Sequence, residues 1–516
     1  MSTPGEKLAA SLEVLRELQE NNTIVAIKSS EMTRTHRERL VKHGFLTEVA
    51  KGWYIISNPN EKSGDTTSWY TSYWQFCAQY LNHKYGDNYC ISADQSILIH
   101  SGNNTVPLQL IIRTPEAPNK NITLLHNTSI LEIKANLPNK ANLIEKNGIR
   151  MMTLHAALIA CTPVLFEKNP IDIKTALASV TDASEILGDL LAGSHSTIAG
   201  RLAGAFRNIG RDRIADEILG AMKKAEYRVT ETDPFQNKSA VKLLPRERSP
   251  YANRIKLMWE NWRQTVLEHF PEEPGLPKNK ESYLEAVEQL FVTDAYHSLS
   301  IERYKVSIEL IEKVRAGDWD IKDNEKDRNH RDAMAARGYW QATQYVKESV
   351  RKILEGNNAG NIVDRDHINW YQELFAPSVT AGILKASDLA GYRTNQVYIT
   401  NSLHTPLNRD AVRDAMPILF ELLESEPNAG VRTVLGHFIF VYIHPYMDGN
   451  GRMARFLMNV MLASGGFPWT VIPVEERDRY MASLEKASVE GNIEPFTIFI
   501  ATLVEQSIKG KPVAKI

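Results

Sequence analysis

The apolar positions along this chain fall into a few distinct patterns. In residues 6–20, Leu8, Leu12, Leu15 and Leu18 recur at three- and four-residue intervals, which predicts a helix with one apolar face. Ser30 then offers a cap for a second helix, running to His43 and stopped by Gly44. LTEVAKGWYIIS, from Leu46, predicts two short strands about a turn at Lys51 and Gly52. After the polar connector NPNEKSGDTTS, residues 68–86 read as an aromatic-rich helix. The runs CISADQSILIH, LQLIIRT, NITLLH and SILEIKA alternate with turn residues as strands do, and helical patterns follow from about Met152 to Lys224. From Tyr251 onward almost every segment reads as helix, except VYITNSLHTPLN, Val397 to Asn408, which predicts a short hairpin. The most apolar segment, VRTVLGHFIFVYI, predicts a buried helix that stops at His444, because Pro445 follows. A further helix is predicted from about Arg452.

Length and composition bound these elements. A chain of 516 residues is too long for one core and suggests two to four domains. The polar, proline-bearing stretch 231–250 reads as the boundary. The division predicted is 1–58, 59–235, a linker at 236–250, and 251–516. Charged residues make up 24%, the hydrophobic class 43%, and the net charge is −2. That composition is ordinary for a soluble globular protein and has no global basic excess pointing to nucleic acid. Cys77, Cys90 and Cys161 fit neither a disulfide framework nor a CxxC metal site. The N-terminus lacks a secretory pattern and no apolar run is long enough to span a bilayer, so a cytoplasmic location is expected. No GxxxxGK(S/T) and no GxGxxG suggests another nucleotide fold.

The chemistry concentrates in HPYMDGNGRMAR, residues 444–455. Gly449 and Gly451 can take backbone angles closed to other residues, in a tight turn at a helix start whose N–H groups lack partners. That is an anion site. Arg452 and Arg455, three apart, share a helical face from which both forks can grip phosphate oxygens, and the helix dipole adds to the field. Asp448 is a hard oxygen ligand of the kind that holds Mg²⁺ when substrate phosphates and water complete the shell. His444 is the one titratable base of the loop. A base, a metal carboxylate and a phosphate cradle together specify phosphoryl or nucleotidyl transfer.

This segment closely resembles the Fic domain signature, HPFx(D/E)GNGRxxR, with Tyr446 where phenylalanine is usual. The resemblance implies an all-α Fic fold with a β-hairpin flap, and transfer of AMP from ATP, with Mg²⁺, to a hydroxyl of a protein. It implies His444 as base, Asp448 as metal ligand, and Gly449, Asn450, Gly451, Arg452 and Arg455 as the phosphate site. Residues 390–393, AGYR, and the hairpin after them match the family's flap region, so Val397, Tyr398 and Ile399 are expected to dock extended target backbone. Tyr480 is a candidate for the adenine pocket. AYHSLSIERYKVS resembles the family's inhibitory motif (S/T)xxxE(G/N), read as Ser298, Glu302 and then Arg303 in place of Gly or Asn; it implies autoinhibition through a Glu302–Arg455 pair.

The N-terminal order of helix, helix and two-stranded wing is that of a winged helix-turn-helix, with Arg34, Arg37, Arg39, Lys42 and Lys51 as a phosphate-facing surface for double-stranded DNA. Residues 1–58 and the α/β domain after them resemble AbiEi-type antitoxins and regulators. The fold class expected is therefore multidomain: a winged helix, a small α/β domain and an all-α Fic domain. The partner expected is a target protein or the chain itself, and self-association is compatible with it. Two other functions stay open in the sequence: removal of AMP, and a DNA-binding regulator whose Fic domain senses nucleotide.

Overall fold

The computed structural model describes residues 3–22, 25–59, 65–235, 249–317 and 327–516, so most of the expected linker, 236–248, lies outside the described residues. The chain divides into two compact units. The first is Met1–Arg254 with Tyr398–Thr405, and the second is Ile255–Val397 with Pro406–Ile516.

The first unit opens with the helix Pro4–Asn22, strand β1 (Ala26–Lys28), the helix Arg34–Lys42, and strands β2 (Leu46–Ala50) and β3 (Trp53–Ile56). The strands pair antiparallel in the order β1-β3-β2, and Leu15, Ile27, Met32, Leu40 and Leu46 form the core beneath them. The second helix begins at Arg34 and not at Ser30, because Glu31 takes the N–H of Lys28 at 2.7 Å and closes a separate turn there.

The helix Thr67–Tyr85 follows, then a sheet of β4 (Cys90–Ile91), β5 (Gln109–Thr114), β6 (Asn121–Thr123) and β7 (Ser129–Lys134) in the order β4-β5-β7-β6, with β5 and β7 parallel. CISADQSILIH is not a strand beyond Ile91. Ser92 Oγ accepts the N–H of Gln95, and Ala93–His100 coil into a helix, the usual ambiguity of a short apolar run. A hairpin of β8 (Leu143–Lys146) and β9 (Ile149–Met152) precedes helices that extend to Lys224. Trp69, Tyr73, Phe76, Leu110, Ile112 and Ile130 centre this core.

The second unit is helical, with no strand among its described residues. The helix Asp327–Leu354 lies against Ala359–Thr380, closely enough at Gly338 that a Cβ there would collide with the carbonyl of Leu374. The helices Ala429–Ile443 and Asn450–Ser464 form the buried centre. The expected hairpin at 397–408 is absent as a ladder. Its base is closed by side chains: Gln396 Nε2 donates to Pro406 O at 2.8 Å and Arg393 Nη2 donates to Leu407 O, while Pro406 itself has no N–H to give.

The start of the Ala429–Ile443 helix is pinned by the buried Glu426. Its carboxylate accepts from Arg263 Nε (2.7 Å), Arg263 Nη2 (3.0 Å), Trp259 Nε1 (3.3 Å) and Asn428 N (3.0 Å). Replacing Glu426 with Ala removes charge-assisted bonds and leaves their donors unpaired, at an expected cost of about 2 kcal/mol. The check is a fall in the melting temperature of the full chain by several degrees; no fall would refute this role for Glu426.

Candidate active site

The helix Ala429–Ile443 ends because Pro445 forbids its continuation, and His444 turns into the left-handed region at φ +55°. Its Nδ1 lies 3.3 Å from Val441 O. A carbonyl only accepts, so Nδ1 carries the proton and Nε2 keeps its lone pair. Burial pushes the imidazole down to about 4, and the Arg393 guanidinium acts in the same direction; the Val441 bond and the charges of Glu302 and Asp448 offset this only in part. At neutral pH the group is an uncharged base.

Between His444 and the next helix the loop is stapled from within and from outside. Tyr446 N donates to Asn450 Oδ1 at 2.9 Å, and Asn450 Nδ2 returns a bond to Tyr446 O at 2.8 Å. Asn450 is thus a buried staple of the cradle. Arg393, buried as well, donates from Nε to His444 O at 2.7 Å and from its backbone N to Pro445 O at 2.9 Å. The sequence marked Arg393 only as part of AGYR and gave no hint of this clamp, which spans residues about fifty positions apart in the chain.

Gly449 starts the second helix at φ +81°, and a Cβ there would stand 2.8 Å from the Phe375 ring, so only glycine fits. The first-turn N–H groups of Asn450, Gly451 and Arg452 have no intrahelical acceptor. Arg452 is 1% exposed; its guanidinium lies between the rings of Tyr304 and Phe375, 5.1 and 5.0 Å from their centres, and its Nε has no hydrogen-bond partner. Asp448 is largely exposed, with Oδ1 accepting from Gly449 N (2.6 Å) and facing Arg452 Nη2 (3.4 Å).

Among the described residues no group of three His, Cys, Asp or Glu could hold a metal ion alone. A cation at Asp448 would therefore take most of its ligands from phosphate and water. That donor set fits Mg²⁺, which dehydrates reluctantly and is commonly held by one or two carboxylates beside substrate phosphates.

Arg455 is 3% exposed. Its Nε donates to Ser298 Oγ (2.8 Å), and its Nη2 to Ser298 O (3.0 Å) and Glu302 Oε1 (2.8 Å), while Nη1 has no partner. Glu302 caps the helix Lys280–Ile301 and reaches over the start of the signature helix, so closely that a Cβ on Gly451 would collide with Oε1. Burial pushes this carboxyl up, but Arg455 and Arg452 outweigh it and hold it below the usual range. Arg303, next in the chain, is left-handed at φ +66°, with Arg303 N bonded to Ser300 O and Tyr304 N to Leu299 O. Such a helix end favours glycine or asparagine.

The sequence reading missed Asp294. It stands four and eight residues before Ser298 and Glu302, accepts from Tyr339 Oη at 2.8 Å, and is pushed up to about 6 by burial. Spacing by fours along one helix was the signal available.

Other expected site residues stand differently. Tyr480 is 1% exposed, its hydroxyl 2.7 Å from His437 Nε2, its ring among Phe496 and Phe499, and it interacts with Arg455. Val397 belongs to the second unit and Tyr398 and Ile399 to the first. Of the N-terminal cations, Arg34 pairs with Glu38 (2.6 Å), Arg37 donates to Ser29 O (2.7 Å) and lies over Tyr54, and Arg39 donates to Lys7 O and Ser11 Oγ. Lys42 and Lys51 are exposed.

Comparison with known proteins places the second unit. Residues 363–462 match the Fic/DOC family. Protein adenylyltransferase fic-1 of Caenorhabditis elegans is 36% identical over 121 residues, covering 23% of this chain and 23% of that protein. Protein adenylyltransferase Fic of Drosophila willistoni is 37% identical over 121 residues, covering 23% and 24%. The matched stretch thus spans about a quarter of the length of these relatives. Among solved structures, a C. elegans Fic-1 fragment aligns with a TM-score of 0.37 at 19% identity, over 64% of this chain and 91% of that one. A Fic domain containing signaling protein from Bacteroides thetaiotaomicron aligns with a TM-score of 0.34 at 16% identity, over 50% and 99%.

Tyr446 is fully buried, stacks on Tyr371 with ring centres 3.8 Å apart, and its hydroxyl has no partner. Tyr446→Phe keeps the stack and removes a desolvated polar group, so it is expected to stabilise the chain by about 1 kcal/mol. Thermal unfolding checks this; a fall in stability would mean that the hydroxyl is bonded.

Proposed function

We propose that this chain is a protein adenylyltransferase, moving AMP from ATP to a serine, threonine or tyrosine hydroxyl of a target protein or of itself, under restraint by Glu302. The observation that carries the reading is the convergence of a neutral imidazole, an exposed carboxylate and two buried guanidinium groups on one helix start. The names of the matched relatives support it.

In this reading the phosphates of ATP lie over Gly449, Asn450 and Gly451, held by the first-turn N–H groups, Arg452 and Arg455. Asp448 would hold Mg²⁺, which supplies neutralising charge to the phosphates. The acceptor hydroxyl donates to His444 Nε2. As its oxygen bonds to the α-phosphorus, the bond from that phosphorus to the bridging oxygen breaks, and the proton passes to His444. Pyrophosphate leaves with its charge met by the two arginines.

Glu302 competes for the same guanidinium. While it holds Arg455, a γ-phosphate loses that grip, and ATP sits with its α-phosphorus turned from in-line attack. Arg303 in the left-handed region strains the turn that presents Glu302, so the restraint is weaker than a glycine there would give. Glu302 would also be placed to orient a water for the reverse reaction, removal of AMP.

A nucleotide-sensing regulator is the less favoured alternative, because binding phosphate alone needs neither the base nor the exposed carboxylate. DNA binding by residues 1–58 is compatible with adenylyl transfer. It rests on the helix and strand order around β1-β3-β2 and on exposed Lys42 and Lys51, with self-modification as a means of tuning it.

Intact mass after incubation with ATP and Mg²⁺ tests the reading. Glu302→Gly should gain AMP faster than the natural chain, and Glu302→Gly with His444→Ala should gain none while still binding nucleotide. Gain by the double variant would remove His444 as the base. Because the imidazole pKa is lowered, its base form survives as pH falls until about 4. Transfer by Glu302→Gly should therefore stay level from neutral pH to about 5, where a histidine of ordinary pKa near 6.5 would be mostly protonated. A fall in rate centred near 6.5 would contradict the lowered pKa.

A further inference from the structure

The turn that presents Glu302 makes a second contact with the signature helix. Tyr304, two residues on, has its backbone N bonded to Leu299 O at 3.1 Å, and its half-buried ring lies 5.1 Å from the Arg452 guanidinium. Phe375 lies 5.0 Å from the same guanidinium, is 6% exposed, and packs against Gly449. Arg331 engages the Tyr304 ring as well, at 5.2 Å. For a side chain that is 1% exposed, Arg452 is otherwise poorly compensated. Its one hydrogen bond among the described residues runs to Asp448 Oδ1 at 3.4 Å, that carboxylate is largely exposed, and its Nε is buried without a partner. A guanidinium carries five N–H donors. Ring faces attract the cation through their quadrupoles and supply no oxygen acceptor, so those donors stay available to an anion.

We propose that Tyr304 is a positioning residue for the nucleotide phosphates: with Phe375 it holds Arg452 at the start of the Asn450–Ser464 helix with its donors free for phosphate oxygens. The inference rests on the adenylyl-transfer reading and deepens it. The turn 302–304 then acts in opposite senses on the two signature arginines. Glu302 offers Arg455 an anion that a phosphate must displace, whereas Tyr304 gives Arg452 neutral support that a phosphate leaves in place. A long side chain that is ordered only when its ligand arrives loses rotamer freedom at that moment, and this subtracts from affinity. Held by two rings, Arg452 is ordered beforehand. The support comes from the face of the Tyr304 ring and not from its hydroxyl, so phenylalanine serves equally there, while leucine fills the space without a quadrupole.

The test uses the full chain in the Glu302→Gly background, where the carboxylate no longer competes. The parent, Tyr304→Phe, Tyr304→Leu, Arg452→Met and Tyr304→Leu/Arg452→Met are compared for calorimetric affinity toward ATP and toward inorganic triphosphate, both with Mg²⁺, and for AMP gain by intact mass. Tyr304→Leu should weaken both ligands about tenfold, as loss of a desolvated cation–ring contact does, and Tyr304→Phe should weaken neither. Because Tyr304 acts through Arg452, Tyr304→Leu should weaken binding no further once residue 452 is Met. Unchanged affinity in Tyr304→Leu, equal weakening by Phe and Leu, or the same weakening in both Arg452 backgrounds would overturn the inference alone. A parent that binds ATP and triphosphate but gains no AMP would overturn the adenylyl-transfer reading and leave the support of Arg452 standing. A parent that binds neither ligand would overturn both.

Discussion

The second unit of this protein depends on one buried positive charge. A guanidinium that is 3% exposed must be paired and hydrogen-bonded, since an uncompensated buried charge is among the costliest defects a fold can carry. Arg455 meets this need with Ser298 and Glu302, and its neighbours are kept from adding charge of their own. Burial holds His437 neutral, with a pKa pushed down to about 3, and pushes Tyr480 up to about 12. The one unmatched nitrogen, Nη1, and the carboxylate at Nη2 together describe a site that calls for an anion and is filled by the chain's own. In the proposed reading, restraint and substrate affinity draw on the same electrostatic demand.

The loop that faces this charge is held by a small number of stereochemical devices. Two left-handed residues, His444 and Gly449, bracket it, so the base and the helix start are aimed by backbone angles and not by flexible side chains. Asn450 ties the loop across its own turn, and Arg393 ties it to a segment far away in the chain. Stacking of Tyr446 on Tyr371 fixes its floor. Because each tie uses a different group, the donors at the helix start are held in fixed orientations, which is the condition under which electrostatic stabilisation is most effective.

Much of this was legible in the sequence where the cause is local. Pro445 stops a helix wherever the chain carries it, Gly449 permits an angle that other residues resist, and Arg452 and Arg455 share a helical face by arithmetic. The helices of the second unit and strands β2, β3, β5, β6 and β7 followed from apolar periodicity. The run after Cys90 and the start of the second helix were misread because short apolar runs fit two periods and because Glu31 bonds to backbone nearby. The Glu302–Arg455 pair was expected through a family resemblance; no spacing could have joined residues 153 apart.

The sequence by itself therefore determined the stops and starts of the signature helices, the chemistry gathered at residues 444–455 and the absence of a single core, since all three follow from covalent order and local backbone stereochemistry. Only the tertiary structure decided that Tyr480 faces inward to His437, that Arg39 is taken up by Lys7 and Ser11, and that residues 398–405 are built into the first unit instead of forming a hairpin. Each of these turns on which distant surface removes a side chain from water. That is a property of packing, and periodicity within one segment does not contain it.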